Sequence, residues 1–108
     1  MTESHIKLRV VLDENKVPEK LFWEADNAEI PGEKQMDAFF LSLWDPKENN
    51  SMRIDLWTKE MPVDQMFQFY YQNLVSMADT LKRATGEEEM SQHMQDFADY
   101  FAEKMGIK

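Results

Sequence analysis

The stretch from Met52 to Asp64 reads Met-Arg-Ile-Asp-Leu-Trp-Thr-Lys-Glu-Met-Pro-Val-Asp, and its period changes part-way. Before Lys59 apolar and polar residues alternate. Met52, Ile54 and Leu56 face one way, and Arg53, Asp55 and Trp57 the other, which is the period of a strand. After Pro62 the apolar residues take a helical spacing. The stretch therefore joins a sheet to a helical layer, and the rest of the chain is read outward from it.

Upstream, Asp45-Pro46-Lys47-Glu48-Asn49-Asn50 is a turn-rich hexapeptide. Before it, Ala38 to Trp44 sets Phe39, Leu41 and Leu43 against Phe40, Ser42 and Trp44. A buried helix would show the same apolar density. The turn, followed at once by the alternating run Ser51 to Thr58, decides for a hairpin. Nearer the N-terminus, Ile6, Leu8, Val10 and Leu12 alternate with Lys7, Arg9 and Val11. A polar turn from Glu14 to Pro18 leads into a second strand, Lys20 to Ala25, and so to a first hairpin. Asp26 to Gly32 reads as a loop. Glu33 to Asp37 fits either a helical turn or the lead-in to a strand.

Downstream, Pro62 suits the first turn of a helix, where a missing N–H costs nothing, and Asp64 puts a carboxylate near its positive end. Val63, Met66, Phe67, Tyr70, Leu74, Met77, Ala78 and Leu81 fall on one stripe of a helix running to Ala84. Thr85-Gly86-Glu87-Glu88 fits a capping box, with Thr85 as N-cap and Glu88 reaching back. A last helix carries Met90, Met94, Phe97, Ala98, Phe101 and Met105, with Gly106 as C-cap. Strands first and helices after predict an α+β fold. The expected form is a four-stranded antiparallel sheet of two hairpins, followed by two C-terminal helices packed on one face, in a single domain over residues 1–108.

Composition narrows the function classes. The chain has 12 Lys and Arg against 21 Asp and Glu, a net charge of −9. Such a balance repels phosphate backbones and anionic headgroups, which argues against nucleic-acid and membrane-surface partners, and no segment approaches a membrane-spanning length, which argues against direct membrane insertion. With 43% hydrophobic residues and only 3 Gly and 4 Pro, the composition is that of a folded domain. The absence of Cys removes disulfides, thiol catalysis and thiolate metal sites. The first residues run into an alternating segment and not into an apolar signal core, so the expected location is cytoplasmic.

Several segments carry a family resemblance. Leu41-Ser42-Leu43-Trp44-Asp45, Arg53-Ile54-Asp55-Leu56-Trp57-Thr58-Lys59, Met61-Pro62-Val63-Asp64, Met77-Ala78-Asp79-Thr80 and Arg83-Ala84-Thr85 together resemble the gliding-motility protein family GldC of Bacteroidota. Val11-Leu12-Asp13-Glu14-Asn15 with Val17-Pro18-Glu19-Lys20, and Asp96-Phe97 with Asp99 to Lys104, are similar as well. The loop from Asp26 to Met36 has no match. The resemblance implies a small soluble intracellular protein linked to gliding machinery, which in that phylum goes with type IX secretion. It implies no catalytic residues.

The residues point to contact with proteins rather than to chemistry. On the alternation above, the sheet face away from the helices displays Lys7, Arg9, Val11, Phe22, Phe40, Ser42, Trp44, Arg53, Asp55 and Trp57. Four aromatics exceed what a solvated face needs, and large apolar patches mark partner sites. The candidate protein-binding surface is Arg9, Phe22, Phe40, Trp44, Arg53 and Trp57, for a partner in the motility machinery or a second copy of the chain. Against this, the Asp26 to Asp37 loop could cover the rings, or Arg9 and Arg53 could stack on them. Phe69, Tyr71 and Val75, off the main helical stripe, form a secondary candidate surface. Glu89 and His93 at i and i+4, with Asp96, Tyr100 and Glu103, are better read as a solvated acidic flank than as a metal or proton-transfer site. No cofactor or catalytic residue is expected. A SecB-like export chaperone, sharing the order of strands then helices, is the alternative on fold analogy alone.

Overall fold

The computed structural model describes residues 2–108. The chain divides into two compact units, one running to Met61 and the other covering Pro62–Lys108. The first holds β1 (Ile6–Leu12), β2 (Pro18–Ala25), β3 (Lys34–Met36), β4 (Ala38–Asp45) and β5 (Asn50–Trp57); the second holds α1 (Val63–Thr85) and α2 (Glu88–Lys104). The α+β class and the two C-terminal helices are as expected. The single four-stranded sheet is not. The strands form a three-stranded sheet in the order β1-β2-β3 and a separate two-stranded sheet, β4-β5, all antiparallel.

The division has a local cause. Residues 34–36, which the sequence left undecided, form a third strand on β2, with Leu21 opposite Met36 and Trp23 opposite Lys34. One residue later the chain changes partner: from Ala38 it pairs with β5, starting at Ala38 opposite Trp57. Asp37 marks the change, and its carbonyl accepts the Thr58 N–H at 2.8 Å. The two sheets are tied again where the Lys59 N–H donates to the Pro18 carbonyl (3.2 Å) and the Lys59 Nζ meets Asp13 Oδ2 (3.0 Å). β2 is thus the central strand of the larger sheet. Leu21, between Val10 and Met36, is fully buried.

Both long turns are set by an aspartate closing a strand. Asp13 Oδ1 accepts from the N–H groups of Asn15 (2.8 Å) and Val17 (3.0 Å), and Lys16 takes a left-handed φ of 62°. Asp45 Oδ1 accepts from Lys47 (2.9 Å) and Glu48 (3.3 Å), with Asn49 at φ 53°. A short polar side chain that bonds its own turn is why Asp and Asn serve there.

In the helical unit, Pro62 is the N-cap of α1 rather than part of its first turn. The expected capping box is also absent. Thr85 is the last residue of α1; its hydroxyl donates to the Leu81 carbonyl (2.7 Å) and accepts the Glu87 N–H (3.1 Å). Gly86, at φ 75°, ends the helix with its N–H on Lys82 O, a conformation that disfavours a Cβ. Glu87 is then the N-cap of α2, without a side-chain cap bond. At the other end Met105 takes the C-cap, and Gly106 follows it at φ 72°. The seam between the helices uses small residues. Ala78, Ser91, Ala98 and Ala102 are buried, and the Ser91 hydroxyl donates to the Ala78 carbonyl at 2.6 Å. Small side chains let the backbones approach, and the larger Phe67, Tyr70, Met77 and Phe97 of the stripes stay at least a third exposed.

Candidate functional site

The alternation read from the sequence holds within each sheet. In the larger one, Arg9 lies opposite Phe22, on the face away from Leu8, Trp23 and Leu21. In the hairpin, Trp57, Asp55, Arg53 and Ser51 of β5 stand opposite Ala38, Phe40, Ser42 and Trp44 of β4. Phe39, Leu41, Leu43, Met52, Ile54 and Leu56 take the other face. The six candidate residues are therefore divided: Arg9 and Phe22 on one sheet, Phe40, Trp44, Arg53 and Trp57 on the other.

The two groups sit in different surroundings. The Arg9 guanidinium lies 4.3 Å from the centre of the Phe22 ring. It also makes two parallel bonds of 2.8 Å to the Glu33 carboxylate, from the end of the Asp26 to Asp37 loop. The paired charges raise the Arg9 pKa and lower that of Glu33. Here Arg9 stacks on the ring, and the loop holds Arg9 in place through Glu33. On the hairpin, Arg53 bonds Asp55 (2.9 and 3.2 Å) and lies 5.9 Å from the centre of Phe40, while Trp44 is 62% and Trp57 53% exposed. Trp57 and Trp44 close the two ends of this face, about 20 Å apart at 3.3 Å per residue. The hairpin thus presents two exposed indoles with a paired Arg and Asp between them.

Beside Trp57 lies a feature that the alternation could not show. Val17, Pro18, Asp55, Leu56, Trp57 and Lys59 line a cleft of about 300 Å³. It pairs the start of β2 with the end of β5, residues nearly forty positions apart in sequence. Val17 and Pro18 had read as a turn, and no local signal places them against Trp57.

The secondary candidates lie in the helical unit, and all three are half-buried. Lys108 Nζ sits 5.0 Å from the Tyr71 ring centre, Val75 lines an opening between the helices with Ala78 and Ser91, and the Phe69 carbonyl accepts the Asn73 amide (2.7 Å). Glu89 and His93 are 3.9 Å apart and exposed. Among the described residues no group of three or more His, Asp or Glu side chains could hold a metal ion. Among the described residues no helix is long and apolar enough to cross a membrane.

The family model described as Gliding motility-associated protein GldC-like matches residues 18–107. The chain belongs to the GldC-like family. The match spans β2 to the end of α2 and includes both exposed tryptophans, the Val17 neighbour Pro18, and the helical unit. It also includes the loop before β3, for which the sequence segments had offered no likeness. No curated protein and no solved structure matches the chain, so the comparisons lend no support to the chaperone alternative. Membership of the GldC-like family associates the protein with gliding motility.

Proposed function

We propose that this GldC-like protein is a non-enzymatic cytoplasmic component that serves the motility machinery, and the type IX secretion linked to it, by binding another protein. The surface is the outer face of the β4-β5 hairpin: Phe40, Trp44, Arg53 and Trp57. One observation carries this reading. Trp44 and Trp57, both more than half exposed, stand on the same face of one hairpin. Large aromatic side chains dominate interface energies, because they bury much area at low entropic cost. Arg9 and Phe22, already engaged by Glu33, have a lesser part. Phe69, Tyr71 and Val75 are the weakest candidates, since each is already half-buried.

The test is the double replacement Trp44→Ser with Trp57→Ser, made in a gliding host and in purified protein. The variant is expected to keep its circular dichroism and cooperative unfolding while colony spreading is lost. Normal spreading would overturn the proposal, and so would an unfolded variant, because the rings would then be core.

A further inference from the structure

The hairpin face tells which side chains are offered; the edge of β5 tells in what form a partner arrives. β5 pairs with β4 alone along Asn50–Trp57, so its other edge forms no hydrogen-bonded ladder among the described residues, although its last residues approach the start of β2. Two-stranded sheets are marginal in water, and a third strand is what usually stabilises them. Natural proteins blunt such edges with lysine, proline or a bulge. The outer edge strand of the larger sheet does so: β1 carries Lys7 and Arg9, and its register shifts between Val11 and Leu12. β5 reads Asn-Ser-Met-Arg-Ile-Asp-Leu-Trp, with no lysine or proline and an unbroken register, and its two charges, Arg53 and Asp55, are paired with each other.

The cleft beside Trp57 lies on that open edge. Asp55, Leu56 and Trp57 all line it, although consecutive residues point to opposite faces, so it opens along the edge of the strand and not on a face. No β4 residue contributes, and Val17 and Pro18 form the far wall. The Lys59 bond to the Pro18 carbonyl closes one end. Its walls are mostly apolar, and its lining holds one acid, Asp55, already paired with Arg53, and one base, Lys59. Lys59 is held by Asp13, and the carboxylates of Glu19 and Glu60 are close enough to add to the same raised Lys59 pKa. Across the chain, 21 acidic residues face 12 basic ones.

We propose that β5 receives a third strand from a partner protein: an extended segment with alternating basic and apolar residues, which pairs along residues 50–56 and places one apolar side chain in the Val17–Trp57 cleft. Main-chain bonds would supply affinity, and the cleft would set which side chain is accepted. The acidic excess around Lys59 and over the whole chain favours lysine or arginine in that segment and disfavours a second copy of this acidic chain. This deepens the proposed function and rests on it, because the same strand carries Trp57.

The probe is a capped hexapeptide alternating lysine and valine, added to the full chain with every tryptophan fluorinated, so that Trp57 gives its own fluorine signal while Trp44 stays in place. Binding should shift the Trp57 signal and slow hydrogen exchange of the β5 amides at least tenfold. Affinity should fall at least tenfold when alternate peptide amides are N-methylated in one of the two frames. The same loss is expected when glutamate replaces the lysines, or when Val17→Phe fills the cleft. No binding, or binding indifferent to N-methylation in both frames, would overturn the strand. Equal binding of the glutamate peptide would overturn the basic partner. Sedimentation that shows a dimer dissociating as the peptide binds would make a second copy the occupant and overturn the proposal. If the peptide fails while the Trp44 and Trp57 double variant still loses spreading, the edge reading falls and the face reading stands. The reverse result separates them the other way.

Discussion

The three-stranded sheet and the β4-β5 hairpin are built from the same kinds of strand, yet they end with opposite surfaces. In the first, a strand on each side of β2 buries Leu21 completely, and the loop that supplies β3 also supplies Glu33 to fasten Arg9 over Phe22. In the second, neither strand has two neighbours. Leu43, Met52 and Ile54 on one face and Trp44 and Trp57 on the other are all at least half exposed. The number of neighbours separates β2, closed on both sides, from the one-neighbour strands: β1 exposes Ile6 and Leu12, and the hairpin exposes two indoles. That is the physical ground for placing the binding site on the hairpin.

The largest effect that would sharpen this comparison comes from truncating equivalent leucines. Leu21→Ala leaves a cavity in the centre of the larger sheet and should cost about 2–5 kcal/mol. Leu43→Ala, at a half-exposed hairpin position, should cost under about 1 kcal/mol. Urea unfolding of both variants measures the difference, and equal losses would remove the distinction between the two regions.

A smaller effect is expected where the sheets meet. Thr58 is 3% exposed, and its hydroxyl has no hydrogen-bond partner among the described residues, although its N–H donates to the Asp37 carbonyl. Thr58→Val keeps the shape and removes an unsatisfied polar group, so it should be neutral or stabilising by up to about 1 kcal/mol. A clear loss of stability in thermal unfolding would mean that the hydroxyl is satisfied.

The smallest effect is on pH dependence, and it belongs to the larger sheet and its turns. Asp13 is held below the usual carboxylate range by the Val17 N–H and by Lys59, Asp26 by its bonds from His5, and Glu33 by Arg9. A depressed folded pKa gives stability that is fully present above the ordinary carboxylate pKa of about 4 and lost as the pH falls through the folded values. Hydrogen exchange below pH 4 should therefore show the β1-β2 turn and the loop before β3 opening first. Asp13→Asn should flatten that acid dependence at the turn, and an unchanged profile would refute the assignment.

The legible part of this protein lies in its periods. Alternation located β1, β2, β4 and β5 and sorted Arg53, Asp55 and Trp57 from Met52, Ile54 and Leu56, because a side-chain period of two is a property of the strand itself. The change of period after Lys59 placed the passage into α1 within a residue or two. β3 escaped because Lys34-Gln35-Met36 is too short to display any period. The capping box failed because a threonine can bond back to the carbonyl four residues earlier as readily as cap the next helix, and Gly86 decided between them. Half of the candidate site was readable as an aromatic face. The cleft was not, because Val17 and Trp57 meet only through the pairing of distant segments.

The chain from Met52 to Asp64 therefore determined by itself that a strand gives way to a helix, and which residues of the strand share a face, since both follow from local backbone geometry. Which strands become neighbours was decided by the tertiary structure alone. Pairing is a competition among distant segments for the same hydrogen-bonding edges. Here β3 took one edge of β2, β4 was left to β5, and the strand with Trp57 kept an open side.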